Sequence, residues 1–139
     1  MKVHDIMHRG ISCVAPETPI RKVALEMRKA DIGAIPVAEA GRLVGMITDR
    51  DIAVRAVADG RDLDSLTARE VMTTGAVCCG LDDDLDDIME LMERKQIRRL
   101  PVLDGARSPV GMLSLGDISS RVGDDDSGEL LRAVSAHHG

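Results

Sequence analysis

The 139-residue chain contains no Phe, Tyr or Trp. Its core must therefore be built from Ile, Leu, Val and eight Met, the flexible Met filling gaps that rings would otherwise take. No apolar run approaches the roughly 18 residues of a membrane span. The opening MKVHDIMHRG has no signal-peptide core, so a cytoplasmic protein with no membrane partner is expected. Cysteine is scarce: three residues, an odd number without framework spacing, fit a reducing compartment. Positive charge is also in deficit, 18 Lys and Arg against 24 Asp and Glu for a net −6. That balance argues against a nucleic-acid backbone as partner, which needs a basic face. Signatures of catalysis are missing as well. There is no Gly-x-Ser-x-Gly elbow, no Gly-x-x-x-x-Gly-Lys-Ser/Thr loop and no Cys-x-x-Cys, and no enzymatic activity or catalytic residue is expected.

What the chain does have is itself, twice. Residues 32–51 read IGAIPVAEAGRLVGMITDRD and residues 97–117 read IRRLPVLDGARSPVGMLSLGD. Met27 and Met92, Ile32 and Ile97, and Pro36 and Pro101 are each 65 apart, whereas Gly45 and Gly111, and Asp51 and Asp117, are 66 apart. The slip of one falls in a turn between two strands, where an extra residue is tolerated. A fixed period of this kind marks a repeated structural unit. Units of about 60 residues bury too little apolar surface to be comfortable alone, so the copies are expected to pack together.

Ile20, Val23, Ala24 and Met27 make one stripe of an amphipathic helix, and Leu85, Ile88, Met89 and Met92 repeat it. Thr18 and Pro19 are placed to start the first helix, and Asp82, Asp83 and Asp84 suit the start of the second. A short extended stretch precedes each helix, at 11–15 and 76–80. A hairpin follows each, at 34–38 with 43–47 and at 99–103 with 110–113. A further helix runs from Asp49 to about Val57 and from Leu115 to about Val122. The fold class is thus α/β, each copy being strand, helix, strand, strand, helix. Short leads ending in an apolar residue and Met, Val3–Met7 and Thr67–Met72, precede the copies; Thr67 to Glu70 fits a capping box. The expected organisation is a first repeat over 1–58, a connector over 59–66, a second repeat over 67–122, and an acidic hinge with a final helix over 123–139.

Two segments carry the chemistry, Gly45 to Asp51 and Gly111 to Asp117. Both read Gly, two apolar residues, a hydroxyl residue, two variable positions and Asp. Thr48 and Ser114 stand where a strand becomes a helix, a junction that favours phosphate. Asp51 and Asp117, one turn on, can accept hydrogen bonds from a ribose diol. The same spacing serves equally as a helix capping box, and duplicated caps would look identical.

The doubled pattern, with Ile-x-x-Ile/Leu-Pro-Val before each motif and a Met-containing helix before that, resembles the CBS-domain family, whose paired form is called a Bateman module. The resemblance spans about residues 3–122. It implies two tandem CBS repeats packed about a pseudo-two-fold axis, with adenine nucleotides or adenosyl compounds held between them. By the same resemblance Asp51 and Asp117 take ribose hydroxyls, while Thr48, Ser114, Arg98 and Arg99 take phosphate. Arg98 and Arg99 face Gly33 and Ala34 in the first copy, so two unequal sites are expected. Arg50, opposite Gly116, is a further phosphate candidate. With no aromatic platform the adenine must lie among aliphatic and Met side chains, so Ile35, Pro36, Met46, Leu100, Pro101 and Met112, with Cys13 and Cys78, are expected to line the pockets. Cys13 and Cys78 read as small buried apolar residues rather than redox groups, and a Cys78–Cys79 disulfide would be strained.

The resulting reading is a free-standing sensor of an adenine nucleotide (AMP, ATP, NAD or an adenosyl compound), acting as a homodimer on an unidentified protein target. It needs no obligatory cofactor, with Mg²⁺ only as companion to a bound nucleotide. Two rivals stand beside it. One is a structural or interaction dimer whose clefts are degenerate and whose motifs only cap helices. The other is a redox- or metal-responsive protein using Cys13, Cys78 and the histidines (His4, His8, His137 and His138), though no ligand cluster surrounds these and no metal site is expected.

Overall fold

The two apolar stripes wind into helices at equivalent places. In the computed structural model, which describes residues 1–121, they form α1 (Ile20–Ala30) and α4 (Leu85–Lys95). The acidic hinge and final helix expected over 123–139 lie outside the described residues. Both helices end on a left-handed residue, Asp31 at φ 54° and Gln96 at φ 56°. The N–H of the next residue then closes the turn, Ile32 to Met27 at 3.0 Å and Ile97 to Met92 at 3.1 Å.

The start of α1 departs from expectation. Thr18 does not cap it; Pro19 holds the cap position and supplies no side-chain acceptor. The free N–H groups of the first turn go instead to backbone carbonyls of the connector, Ile20 to Leu66 at 2.8 Å and Arg21 to Leu63 at 3.0 Å. Unit by unit the device recurs, since Leu85 donates to Met1 at 2.9 Å. At α4 the Asp84 carboxylate also caps, accepting from the N–H of Asp86 at 2.9 Å.

The fold is mixed α/β, and the leads are exchanged between the copies. One compact unit joins Met1–Ile11 to Val77–Gly105 and the described chain from Val110 on; the other joins Ser12–Ala76 to Ala106–Pro109. In the first, β1 (His8–Arg9), β6 (Pro109–Ser114), β5 (Arg99–Leu103) and β4 (Cys79–Gly80) form a sheet in that order. There β1 runs antiparallel to β6 with His8 opposite Met112, and β4 parallel to β5 with Cys79 opposite Val102. In the second unit β2 (Ala34–Glu39) and β3 (Arg42–Thr48) form an antiparallel hairpin. Single bridges flank it on both sides, Val14 to Val37 and Met46 to Thr73. The strand order is the same in both units, and in each the lead comes from the other copy's sequence. The expected strand at 11–15 shrinks to the one bridge at Val14.

Apolar burial explains why the leads dock. Val3, Ile6 and Met7 enter the core around Leu85, Met92 and Leu100, while Leu66, Ala68 and Val71 enter the core around Ile20, Val23 and Ile35. A fully buried aliphatic side chain contributes about 1.5–3 kcal/mol, so Val3, Ile6 and Met7 of the first lead, and Val71 of the second with Leu66 just before it, make the exchange a substantial part of each unit's stability. The short helix α3 (Ala68–Val71) has its expected box, Glu70 accepting from the N–H and hydroxyl of Thr67 at 3.2 and 3.1 Å.

Candidate functional site

Each hairpin ends on the hydroxyl residue that was singled out. Thr48 closes β3 and caps the helix that follows, which is α-helical over Asp49–Asp51 (α2) and π-helical over Ile52–Val57. Ser114 closes β6 and leads into α5 (Leu115–Arg121). Backbone carbonyls just before each hairpin tie in the helix starts: Asp49 N–H donates to Gly33 at 2.9 Å, and Leu115 N–H to Arg98 at 3.0 Å. That second bond sets Arg98 and Arg99 beside the Ser114–Asp117 motif.

Both motifs are complete capping boxes. The Asp51 N–H donates to Thr48 Oγ1 at 3.1 Å, and the Thr48 N–H donates to Asp51 Oδ2 at 2.9 Å. In the second copy the Asp117 N–H donates to Ser114 Oγ at 3.1 Å, while Asp117 Oδ2 accepts from the Ser114 N–H at 3.1 Å and hydroxyl at 3.0 Å. The cap engages only one oxygen of each carboxylate. Among the described residues, Oδ1 of Asp51 and of Asp117 accepts no hydrogen bond and neither residue forms an ion pair. Both residues are half-buried, and each keeps a carboxylate oxygen for a further donor.

The helix starts are unequal as anion sites. In the first copy Asp49, Arg50 and Asp51 all donate their N–H groups, to Gly33, to Asp49 Oδ1 at 2.8 Å and to Thr48. In the second, the Gly116 N–H has no partner among the described residues. Arg98 and Arg99 are exposed, as is Arg50, and their guanidinium groups make no ion pair or hydrogen bond among the described residues. Other arginines are committed: Arg21 to Asp64 at 2.6 Å, Arg61 to Glu70 at 2.8 Å, and Arg69 to Glu39 at 2.5 Å.

Most of the expected lining residues are buried. Ile35 and Leu100 have no exposed surface and belong to the two cores, because β2 and β5 are covered on both faces. Pro36, Pro101 and Met46 are also buried, and Met112 is half-buried. Cys13 is exposed and Cys78 half-buried, which corrects the buried reading of both. The inward positions are their neighbours Val14 and Cys79, as the two-residue period of extended chain requires. Desolvation pushes the Cys79 thiol up to about 12, with Asp83 and Cys78 adding to it. Desolvation raises Cys13 as well, even though that residue is exposed overall. His4 lies 3.2 Å from Asp5 and 3.8 Å from Asp82. Among the described residues no three His, Cys, Asp or Glu are grouped to hold a metal. His137 and His138 lie outside them. No helix among the described residues is long and apolar enough to cross a membrane.

The glycines that open the motifs have a role that the sequence reading missed. A Cβ on Gly45 would lie 2.6 Å from Sδ of Met72, and one on Gly111 would lie 2.8 Å from the carbonyl oxygen of His8 and 2.9 Å from Sδ of Met7. The lead docked from the other copy passes directly over each glycine. The signal was present in Met7 and Met72, which are 65 apart.

Comparison with known proteins agrees with this architecture. The sequence profile of the CBS domain matches residues 3–57 and 68–124. The CBS domain-containing protein YhcV of Bacillus subtilis is 40% identical over 134 residues, 96% of this chain and 94% of its own. Hypoxic response protein 1 of Mycobacterium tuberculosis is 32% identical over 131 residues, 94% of this chain and 91% of its own. A crystal structure of Hypoxic Response Protein I with two coordinated zinc ions superposes with a TM-score of 0.80 at 32% identity, over 88% of this chain and 100% of that one. The CBS domain pair of protein MJ0100, in complex with 5′-methylthioadenosine and S-adenosyl-L-methionine, superposes with a TM-score of 0.78 at 30% identity, over 88% and 100%. With two repeats matched and relatives aligned almost end to end, this chain belongs to the CBS-domain family and carries two CBS domains in tandem.

Proposed function

We propose that this chain is a non-enzymatic regulatory module that binds an adenine-containing ligand at its Gly-to-Asp motifs. The observation that carries the reading is Oδ1 of Asp51 and of Asp117, unused among the described residues at equivalent positions after each cap is made. A carboxylate oxygen of this kind accepts from sugar hydroxyls, and such charge-assisted bonds are the stronger sort. The CBS pair of MJ0100 in complex with two adenosyl compounds supports this ligand class. In this reading Asp51 and Asp117 hold ribose, and Thr48 and Ser114 lie toward phosphate. Arg98 and Arg99, which have no other partner among the described residues, neutralise phosphate at the second motif, and Arg50 does so more weakly at the first. Signalling passes through a homodimer in the cytoplasm to a separate protein target, and requires the ligand to prefer one of two states.

The completeness of both caps favours a rival reading, an interaction dimer in which Thr48 to Asp51 and Ser114 to Asp117 only start helices. Absorbance separates the two cheaply. A polypeptide without Trp or Tyr scarcely absorbs near 280 nm, so bound adenine dominates the spectrum of the purified protein. Mass spectrometry of released small molecules then identifies the ligand. An adenine compound at a hundredfold excess over its Kd raises stability by about 2.7 kcal/mol. No melting shift with AMP, ATP, NAD or S-adenosylmethionine, together with a featureless spectrum, overturns the sensor reading in favour of the scaffold.

A further inference from the structure

The helix that leaves Thr48 changes register within one turn. It is α-helical over Asp49–Asp51 and π-helical over Ile52–Val57, the Ala58 N–H reaching Ala53 five residues back at 3.0 Å. Its counterpart α5 is α-helical over Leu115–Arg121. π turns are rare and concentrate at functional sites. Arg55 lies inside this one, four residues after Asp51. Its guanidinium Nη1 donates to the carbonyl of Val71 at 3.1 Å and of Met72 at 3.4 Å. Those carbonyls close α3, where a helix end lacks partners and favours a cation. They belong to the lead that also passes over Gly45 and bridges Met46 to Thr73. One helix therefore carries the Thr48–Asp51 cap at its start and, a turn later, the arginine that grips the lead.

We infer that Arg55 is a positioning residue through which the state of the Thr48–Asp51 motif reaches the segment Thr67–Thr73, along which the chain runs on to the second copy. The inference rests on the nucleotide-binding reading for its biological purpose. Its physical basis is independent of that reading. Rewinding Ile52–Val57 from i→i+5 to i→i+4 bonding swings Arg55 around the helix axis and off the two carbonyls. That rewound form is the second arrangement the inference requires, releasing the lead that the observed one holds and making the segment the bistable element that coupling between sites needs. A ligand fixed on Asp51 biases that choice by its differential affinity for the two arrangements.

Amide hydrogen exchange of the full chain tests this at Met72 and Thr73, whose N–H groups donate to Ala68 at 2.8 Å and Met46 at 2.9 Å. Without ligand, Asp51→Asn is expected to change exchange at both amides by more than about threefold in the wild-type background. In an Arg55→Ala background the same substitution is expected to change it by less than about twofold, the ordinary limit of additivity. Arg55→Lys, which keeps the charge and loses the fork, gives an intermediate response and serves if Arg55→Ala does not fold. A merely structural Arg55 would speed exchange in its own variant yet leave the Asp51 response intact, and that result overturns the inference. With AMP added, wild type slows exchange at both amides, while Arg55→Ala still binds AMP and does not. Binding of AMP without that difference also overturns it. Failure of every adenine compound to bind, measured by calorimetry, strikes the nucleotide reading alone, because the ligand-free comparison still decides the coupling.

Discussion

The carbonyl oxygen of His8 lies where a Cβ on Gly111 would come within 2.8 Å of it, and His8 is 103 residues earlier in the chain. The first copy has the same crossing between Gly45 and Met72, but with a difference in what would be struck. At Gly45 the nearest atoms are Sδ and Cγ of Met72, at 2.6 and 2.9 Å, with the backbone oxygen of Thr73 further off at 3.1 Å. A methionine side chain can turn away, whereas a strand backbone paired to its neighbour cannot. Gly111→Ala is therefore expected to destabilise toward the upper end of the 1–3 kcal/mol typical of overpacking, and Gly45→Ala toward the lower end, both being about that size. Urea unfolding of the two variants checks this. A larger loss for Gly45→Ala would show that the leads are not held as described.

Asp51 and Asp117 serve two purposes that substitution can separate. Asparagine keeps an acceptor for the Thr48 or Ser114 N–H but loses the charge, whereas alanine loses both. Thermal melts are expected to show Asp51→Asn within about 1 kcal/mol of wild type, and Asp51→Ala lowered by about the worth of a cap, 0.5–2 kcal/mol. Affinity for an adenine ligand falls about tenfold or more in both variants, as loss of bonds worth about 1.5–3 kcal/mol requires. Calorimetry that found Asp51→Asn and Asp117→Asn binding like wild type would leave the carboxylates as caps only.

Much of this fold was legible in the repeat, for reasons that differ by element. Of the two stripes, Ile20, Val23, Met27 and Leu85, Ile88, Met92 are buried and Ala24 and Met89 half-buried, as a 3.6-residue period demands. The two hairpins stand within a residue or two of their expected bounds because turn residues punctuate them. The exchange of leads was not legible. A lead of given apolar pattern satisfies either copy's hairpin equally, and only long-range pairing decides between them. The start of α1 was misread for a similar reason: Thr18 has the right chemistry for a cap, but connector carbonyls at Leu63 and Leu66 reach the N–H groups first. At the candidate site, the hydroxyl and carboxylate pairs were found by spacing alone. The parity of Cys13 against Val14 was not, although the 65-residue match of Val14 to Cys79 carried it.

Glu70 gives a pH signature on the acid side. Its carboxyl is held below its usual 4.5, first by the Arg61 guanidinium and then by the N–H and hydroxyl of Thr67. A folded-state value below the unfolded one stabilises above the unfolded value, and that contribution is lost as pH falls through the folded one. Glu70→Gln should therefore be less stable than wild type at neutral pH, and the gap should close as pH drops below 4.5. The residue is exposed, so the gap is small; denaturant midpoints between about pH 6 and pH 3 resolve it. A gap that persisted unchanged at the lowest pH would trace the loss to something other than the ion pair with Arg61.

The two motifs differ most in what they offer a phosphate. At the first, every N–H of the opening turn is already used and Asp49 adds a negative charge beside Arg50. At the second, the Gly116 N–H has no partner among the described residues, Leu115 replaces the acid, and the backbone of Arg98 is bonded to the helix start. Among the described residues Arg98 and Arg99 have no anionic partner to surrender before meeting a ligand, and a guanidinium fork matches phosphate oxygens in pairs. Calorimetry of wild type with ATP and AMP is therefore expected to resolve two unequal sites, the tighter one preferring more phosphate. Arg99→Ala weakens that site toward the other, by about tenfold if one charge-assisted contact is lost. Raising the salt narrows the difference further, since exposed charges are screened over about 8–10 Å at such ionic strengths. Two indistinguishable sites in the wild-type protein, or an Arg98→Ala, Arg99→Ala double variant that binds ATP and AMP as wild type does, would show these arginines to be solvated surface.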